Sequence, residues 1–289
     1  MLSVSHLISH RFRGFAPLEN TVEGLLSALD WGVEVVEFDV RIAKCGTPMV
    51  YHDEHAMSAS GDQKLCEVIA MDYTRVGGRF ATMPALDRLL EQAAEHSNPA
   101  RLLIDIKDAG FEEVIRSLVR AHGLADRVVY VSWLPEVLYA MHALEPSAPL
   151  CFSHWAASPS LAARAVHTVH ESLDGHVSRE SHTPLGERSG WWMRKPLQGE
   201  LFDILASVGG YVCIPRPHLT SGIADHYRNH GIGITVFSYV DYAPAKSDFE
   251  DHGLALLFSD SKRLFEAAQA SGTEGAFGTV ASPSRPGMA

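Results

Sequence analysis

Cysteine is scarce in this chain, with four in 289 residues (Cys45, Cys66, Cys151 and Cys213) and no C-x-x-C pair. That scatter argues against a zinc site or a dense disulfide framework. Long apolar runs are also missing. None reaches the roughly 18 residues of a membrane span, so stable membrane insertion is not expected. Residues Met1 to Leu7 lack the basic stretch and apolar core of a signal peptide, which gives the reading of a soluble cytoplasmic protein. Basic residues are the minority: 24 lysines and arginines face 35 acidic residues, for a net charge of −11, which argues against nucleic acid as the main partner. The sixteen histidines include no H-x-H or H-E-x-x-H motif, which disfavours a histidine-rich zinc hydrolase. No internal repeat is present.

What is there is a core and an alternation. Apolar residues make up 46% of the chain, enough for one large domain of the size α/β barrels reach undivided. Short β-rich runs alternate with helix-like segments, as in a parallel sheet with crossover helices. Eight strands are expected: His6–His10, Val33–Val40, Leu102–Lys107, Val128–Ser132, Leu150–Ser153, Tyr211–Pro215, Gly233–Tyr239 and Ala255–Ser259. They predict an α/β protein with a (β/α)8 TIM barrel, an open doubly wound sheet being the alternative. Asn20 followed by Glu23 reads as a capping box for a first helix, whose Val22, Leu25, Leu26 and Leu29 have the spacing of a buried face. Pro84 to Glu91 and Ser158 to Leu173 read as further helices. The stretches 53–83 and 174–196, the latter with Trp191 and Trp192, are long enough to be lids or binding loops. The domain is therefore set at 1–270, with an insertion at approximately 43–83. The Gly/Ser/Pro-rich residues 271–289 are read as a disordered tail.

The chemistry-bearing residues cluster in the first 110 positions, each group at or just after an apolar run. Glu37 and Asp39 are two apart in a strand, so both face one way, roughly 7 Å apart at Cα. Such a pair suits a hard cation, or else it is a solvated face on an edge strand. Lys44 to Thr47 reads as a turn and Met49 to Tyr51 as a returning strand. A hairpin centred on Cys45-Gly46 puts His52 opposite Asp39, placed for proton transfer, unless His52 merely begins a surface loop. Asp105 and Lys107 share a face at the end of another apolar strand, either as a buried ion pair or as a third carboxylate ligand and a phosphate clamp. His10 and Arg11 end the first strand, offering a proton carrier and a planar cation suited to phosphate. Trp133, Trp191, Trp192 and Tyr239 read equally as substrate-lining or packing residues. Arg216 and His218 end the sixth strand, where a ligand could reach them.

Taken in order, His10-Arg11, Glu19-Asn20-Thr21, Glu37-Phe38-Asp39, His52-Asp53 and Asp105-Ile106-Lys107 resemble the signature of the glycerophosphodiester phosphodiesterase family. The similarity extends weakly through Val131-Ser132-Trp133 and Ile234–Val240 to Ser259-Asp260. It implies a TIM barrel with a small insertion after strand two. His10 and His52 would be the acid and base, Glu37, Asp39 and Asp105 would hold one divalent cation, Mg²⁺ or Ca²⁺, and Arg11 and Lys107 would bind the phosphate of a small phosphodiester. Trp133 and Tyr239 are the candidate substrate-lining residues. The departures are Phe12 for the usual glycine, Leu18 for the usual proline, Met57 to Gly61 for Asp-Arg-Thr-Thr, and Phe237 to Val240 for Trp-Thr-Val-Asn. They surround the expected place of the alcohol, which keeps a sphingomyelinase D-like phospholipase or a sugar-phosphodiester enzyme open as alternatives. A catalytically inert ligand-binding barrel is the alternative of a different class.

Overall fold

The computed structural model describes residues 1–53, 83–156 and 196–276, with strand backbone at 55–58, 61–64, 168–170, 177–180 and 190–193. Eight parallel strands among the described residues close into a barrel. They are β1 (Leu7–His10), β2 (Val35–Ile42), β3 (Arg101–Ile106), β4 (Val128–Ser132), β5 (Leu150–Ser153), β6 (Tyr211–Pro215), β7 (Gly233–Tyr239) and β8 (Leu256–Ser259). Each pairs with the next, and β8 pairs with β1 to close the ring. The (β/α)8 barrel expected from the sequence is thus the fold. Four of the strands have the expected bounds. β1 begins one residue late because Val4–His6 forms a 3₁₀ turn beneath it.

Among the described residues eight helices wrap the ring: α1 (Val22–Trp31), α2 (Leu86–Glu95), α3 (Glu112–Ala121), α4 (Pro135–Leu144), α5 (Glu200–Ser207), α6 (Ser221–Arg228), α7 (Tyr242–His252) and α8 (Lys262–Ala276). Helix α8 continues past Ser271, the boundary expected for the tail. Residues 277–289 lie outside the described residues. No described helix is long and apolar enough to cross a membrane.

The barrel separates two cores by strand alternation. Val36, Phe38, Val40, Leu102, Ile104 and Tyr130 point outward and pack under the helices. Ile8, Val35, Leu103, Val129, Val131, Cys151, Cys213, Leu256 and Phe258 point inward and fill the bore. The inward parity continues up β2 to Glu37 and Asp39 and up β3 to Asp105. The same period that buries Val35 and Leu103 therefore delivers carboxylates to the C-terminal mouth of the barrel, the end where barrel enzymes place their sites.

Two expectations change. The cap of α1 is Thr21, whose Oγ1 accepts from Gly24 N at 3.1 Å, and not Asn20. Asn20 sits at φ 56 and turns its amide to Asp39 instead. The segment expected as a helix from Ser158 to Leu173 contains a strand at Thr168–His170, paired antiparallel with Val177–Glu180. Its neighbours Ser158 to His167 lie outside the described residues. That strand belongs to a four-stranded sheet with Gly190–Met193 and Trp155–Ala156, inserted between β5 and α5. After β2, the short strand Pro48–Val50 returns along it, and a second hairpin joins His55–Ser58 to Gly61–Lys64.

Candidate active site

Register assembles the site before any side chain is considered. In the parallel ladder His10 pairs with Glu37 across β1 and β2, and Asp39 pairs with Asp105 across β2 and β3. Glu37, Asp39 and Asp105 each offer a carboxylate oxygen, and these atoms lie within 4.8 Å of one another. All three residues are buried.

Two cations and an amide hold this cluster. Arg11 Nε lies 3.0 Å from Asp39 Oδ2, and Asn20 Nδ2 donates to the same oxygen at 2.9 Å. Lys107 Nζ is 2.9 Å from Asp39 Oδ1 and also pairs with Asp105. Burial pushes the Asp39 carboxyl up, but Arg11, then Lys107, overcome it and hold it well below the usual carboxylate range. Glu37 goes the other way: burial, then the nearby Asp39 and Asp105 charges, raise it well above that range. Burial opposes the charge on Arg11 and on Lys107, yet the carboxylates raise both above their ordinary values.

The two imidazoles flank the cluster in matching arrangements. His10 Nδ1 lies 2.6 Å from Asp260 Oδ1, and His52 Nδ1 lies 2.7 Å from Asp53 Oδ1. A carboxylate only accepts, so each Nδ1 carries its hydrogen and each Nε2 presents a lone pair when the ring is neutral. His10 Nε2 is 3.9 Å from Glu37 Oε2. Burial lowers the pKa of both rings, against the pull of Asp260 on His10 and of Asp39 and Asp53 on His52. Both rings are thereby weaker bases than a free imidazole.

The β1–α1 loop that carries Arg11 is conformationally demanding. Arg11, Phe12 and Asn20 have φ of 54, 61 and 56, the left-handed region that favours glycine. Hydrogen bonds and packing hold it there. Arg11 N donates to Glu37 O at 2.9 Å and Asn20 N to Arg11 O at 2.9 Å. The Phe12 side chain is fully buried, 6.0 Å from the Phe38 ring. Opposite it, a Cβ added to Gly24 would come 2.8 Å from Phe12 Cβ. The aromatic residue that replaces the usual glycine is thus accommodated by a glycine in the facing helix.

Comparison with known proteins agrees with this arrangement. Residues 8–183 match the model of the glycerophosphoryl diester phosphodiesterase family. The chain belongs to this family. A glycerophosphodiester phosphodiesterase of Bacillus altitudinis is 26% identical over 158 residues, covering 50% of this chain and 64% of the relative. A glycerophosphocholine phosphodiesterase of Eremothecium gossypii is 29% identical over 101 residues, covering 35% of this chain and 7% of the relative. The match thus spans under two thirds of the first relative's length and a small part of the second's. The fold is shared with a glycerophosphodiester phosphodiesterase structure from Parabacteroides distasonis, with TM-score 0.66 and 16% identity over 96% of this chain and all of that one. It is also shared with an Oleispira antarctica phosphodiesterase solved with its product sn-glycerol-3-phosphate, with TM-score 0.65 and 20% identity over 91% of this chain and 96% of that one.

Within this family member, His10, Arg11, Glu37, Asp39, His52, Asp105 and Lys107 all converge. Trp133 joins them: its ring centroid is 4.3 Å from Lys107 Nζ and 6.4 Å from the His52 ring. Tyr239 does not. A register shift between β7 and β8 from Val236 to Tyr239 turns it outward. It is buried under the helices, where its hydroxyl donates to Asp248 at 2.9 Å. Arg216 pairs with the same Asp248 at 2.6 Å, while His218 is buried close enough to His154 to lower its pKa. The hairpin register also differs by one. It centres on Cys45, with Gly46 at φ 84, so Val40 faces Val50 and Tyr51 N donates to Asp39 O at 3.0 Å. His52 therefore lies one residue past Asp39, still close enough to feel its charge.

In the sequence Asp260 stands only at the end of a weak similarity. It directly follows β8 at the same mouth, an apolar run closing on a carboxylate, which is the signal that identified the other strands. Besides His10 it pairs with Arg13 Nη1 at 3.0 Å and with Ser238 Oγ. Burial pushes its carboxyl up, but these partners, His10 first, hold it well below the usual range.

Proposed function

We propose that this protein is a cytoplasmic, divalent-metal-dependent phosphodiesterase that hydrolyses a small glycerol-type phosphodiester to an alcohol and a phosphomonoester. The observation that carries this reading is the convergence of three buried carboxylates with two cations, between two carboxylate-tethered imidazoles.

The residues suit a hard cation. Asp105 Oδ1 is buried with no hydrogen-bond partner, an oxygen whose desolvation goes uncompensated without a ligand. The raised Glu37 records a local excess of negative charge. All donors are oxygens, as Mg²⁺ and Ca²⁺ prefer. Glu37, Asp39 and Asp105 would hold the ion, which supplies Lewis-acid polarisation of a phosphoryl oxygen. Nominally, three carboxylates and two cations leave one negative charge. A divalent ion turns this to one positive charge, the complement of a phosphodiester monoanion.

The remaining steps fall to side chains. Arg11 and Lys107 orient the phosphate by charge-assisted hydrogen bonds. One Nε2 takes a proton from the attacking hydroxyl or water. The other imidazole, protonated, returns one to the departing alkoxide. Asp260 and Asp53 hold the two rings in the tautomer that this exchange needs. Trp133 forms a wall beside Lys107, where the alcohol portion of the substrate would pass.

The test is a coupled assay with glycerophosphocholine, related glycerophosphodiesters, lysophospholipids, sphingomyelin and sugar phosphodiesters. Turnover of a glycerophosphodiester, abolished by EDTA and restored by Mg²⁺ or Ca²⁺, is expected. His10→Ala and His52→Ala should each lower kcat by about 10²–10⁴-fold. No turnover of any diester with either metal would leave a ligand-binding barrel in place of an enzyme. Preference for a phospholipid or a sugar diester would move the substrate class.

A further inference from the structure

The two imidazoles are secured differently. The tether of His10 is Asp260, which is 19% exposed and held by two further donors. The tether of His52 is Asp53, which is 52% exposed and also accepts from the Tyr51 hydroxyl at 3.5 Å. The backbone of His52 is held as well. Arg41 Nε donates to the carbonyl oxygen of His52 at 3.0 Å, and Arg41 Nη1 donates to Asp108 Oδ1 at 2.7 Å. The second Asp108 oxygen accepts from Ile42 N at 2.9 Å. On either side, Lys107 N donates to Val40 O and Tyr51 N to Asp39 O, both at 3.0 Å.

The end of β2 is therefore enclosed by two segments that both carry site residues, Lys107–Asp108 and Tyr51–His52. The Arg41 guanidinium bridges them. A planar fork has donors at fixed angles and can serve two acceptors on separate segments at once, which a single ammonium does less well. Arg41 is 3% exposed, so it is unavailable to a phosphate in the mouth.

We propose that Arg41, anchored by Asp108, is a positioning residue for His52. It sets where the chain stands at Tyr51 and His52. The inference rests on the phosphodiesterase reading, in which His52 moves a proton. A displacement of about 1 Å at such a group costs on the order of 10²-fold in rate.

The test is a double-mutant cycle on the whole chain with glycerophosphocholine. Arg41→Ala should lower kcat by about 10–100-fold with KM little changed. Arg41→Lys should recover part of that loss, and Asp108→Asn should lose less than Arg41→Ala. In a His52→Ala background, Arg41→Ala should change kcat by less than about twofold, because its effect passes through the missing ring. Equal losses in both backgrounds would overturn the proposal, as would wild-type kcat in Arg41→Ala. If Arg41→Ala fails to fold, Arg41→Lys and Asp108→Asn complete the cycle.

A measurement free of turnover separates this inference from the reading beneath it. Amide hydrogen exchange at residues 51–53 should accelerate in the Arg41 and Asp108 variants while β4 and β5 keep their protection. Unchanged exchange at 51–53 would overturn the anchor. A wild-type protein that turns over no diester would overturn the phosphodiesterase reading alone.

Discussion

His10 Nδ1 lies 2.6 Å from Asp260 Oδ1, a contact between the first and the last strands of the barrel. It fixes one imidazole by a carboxylate 250 positions away. Asp260→Asn should keep the fold and lower kcat by about 10²-fold, the low end of the acid/base range. Steady-state kinetics on two substrates would assign the role of His10. If it protonates the alkoxide, a p-nitrophenyl phosphodiester, whose leaving group needs no proton, should escape most of the loss. If it acts as base, both substrates should lose equally. Unchanged kcat on both would refute the positioning.

Asn20 and Thr21 are neighbours with separate tasks, and substitution should separate them. Asn20→Ala removes a donor to Asp39 Oδ2 and should weaken metal binding by about 10–100-fold, read by calorimetric titration. Thr21→Ala removes the cap of α1 and should cost about 0.5–2 kcal/mol of stability while leaving metal affinity alone. Denaturant unfolding of both variants provides the second measurement. The opposite pattern would restore Asn20 as the cap.

Phe12 and Gly24 should behave as a coupled pair. Gly24→Ala brings a methyl against Phe12 Cβ and should cost about 1–3 kcal/mol. Phe12→Gly removes that Cβ together with the buried ring and should cost about 3–5 kcal/mol. The double variant should be more stable than the sum of the two losses allows, since each change removes the clash or void left by the other. Additive losses in urea unfolding would contradict that packing.

His154 predicts part of the acid limb of stability. It is fully buried, its Nε2 lies 2.9 Å from the Tyr227 hydroxyl, and burial, aided by His218, pushes its pKa down to about 3. Its folded-state value lies below its unfolded one of about 6.5, so the unfolded chain takes up the proton first. Its contribution is therefore complete above pH 6.5 and is lost as pH falls toward 3, by up to about 1.4 kcal/mol per pH unit. His154→Gln should flatten thermal melts recorded between pH 7 and pH 4. An unchanged slope would remove His154 from the account.

Most of the barrel was legible because its strands are apolar on both faces and end in charge, a pattern that marks position and direction together. Alternation placed Glu37 with Asp39 and Asp105 with Lys107 in one step. What stayed hidden depends on contacts that no local period encodes. The hairpin register turned on whether Cys45 or the Cys45-Gly46 peptide is the centre, and Gly46 at positive φ decides it. Asn20 suits a cap chemically, and only the approach of β2 draws its amide to Asp39. Tyr239 reads as inward by parity until the shift in β7 reverses it. Asp260 needed the ring to close before it could be seen as a partner of His10.

That closure has a temporal consequence. β8 is the last of the barrel strands to leave the ribosome, and without it one edge of β1 is bare and His10 lacks Asp260. The emerging chain thus carries every candidate ligand and both imidazoles by residue 107, yet they remain an unassembled set until Asp260 docks across the seam. Competence should switch on in a single late event during synthesis rather than accumulate strand by strand.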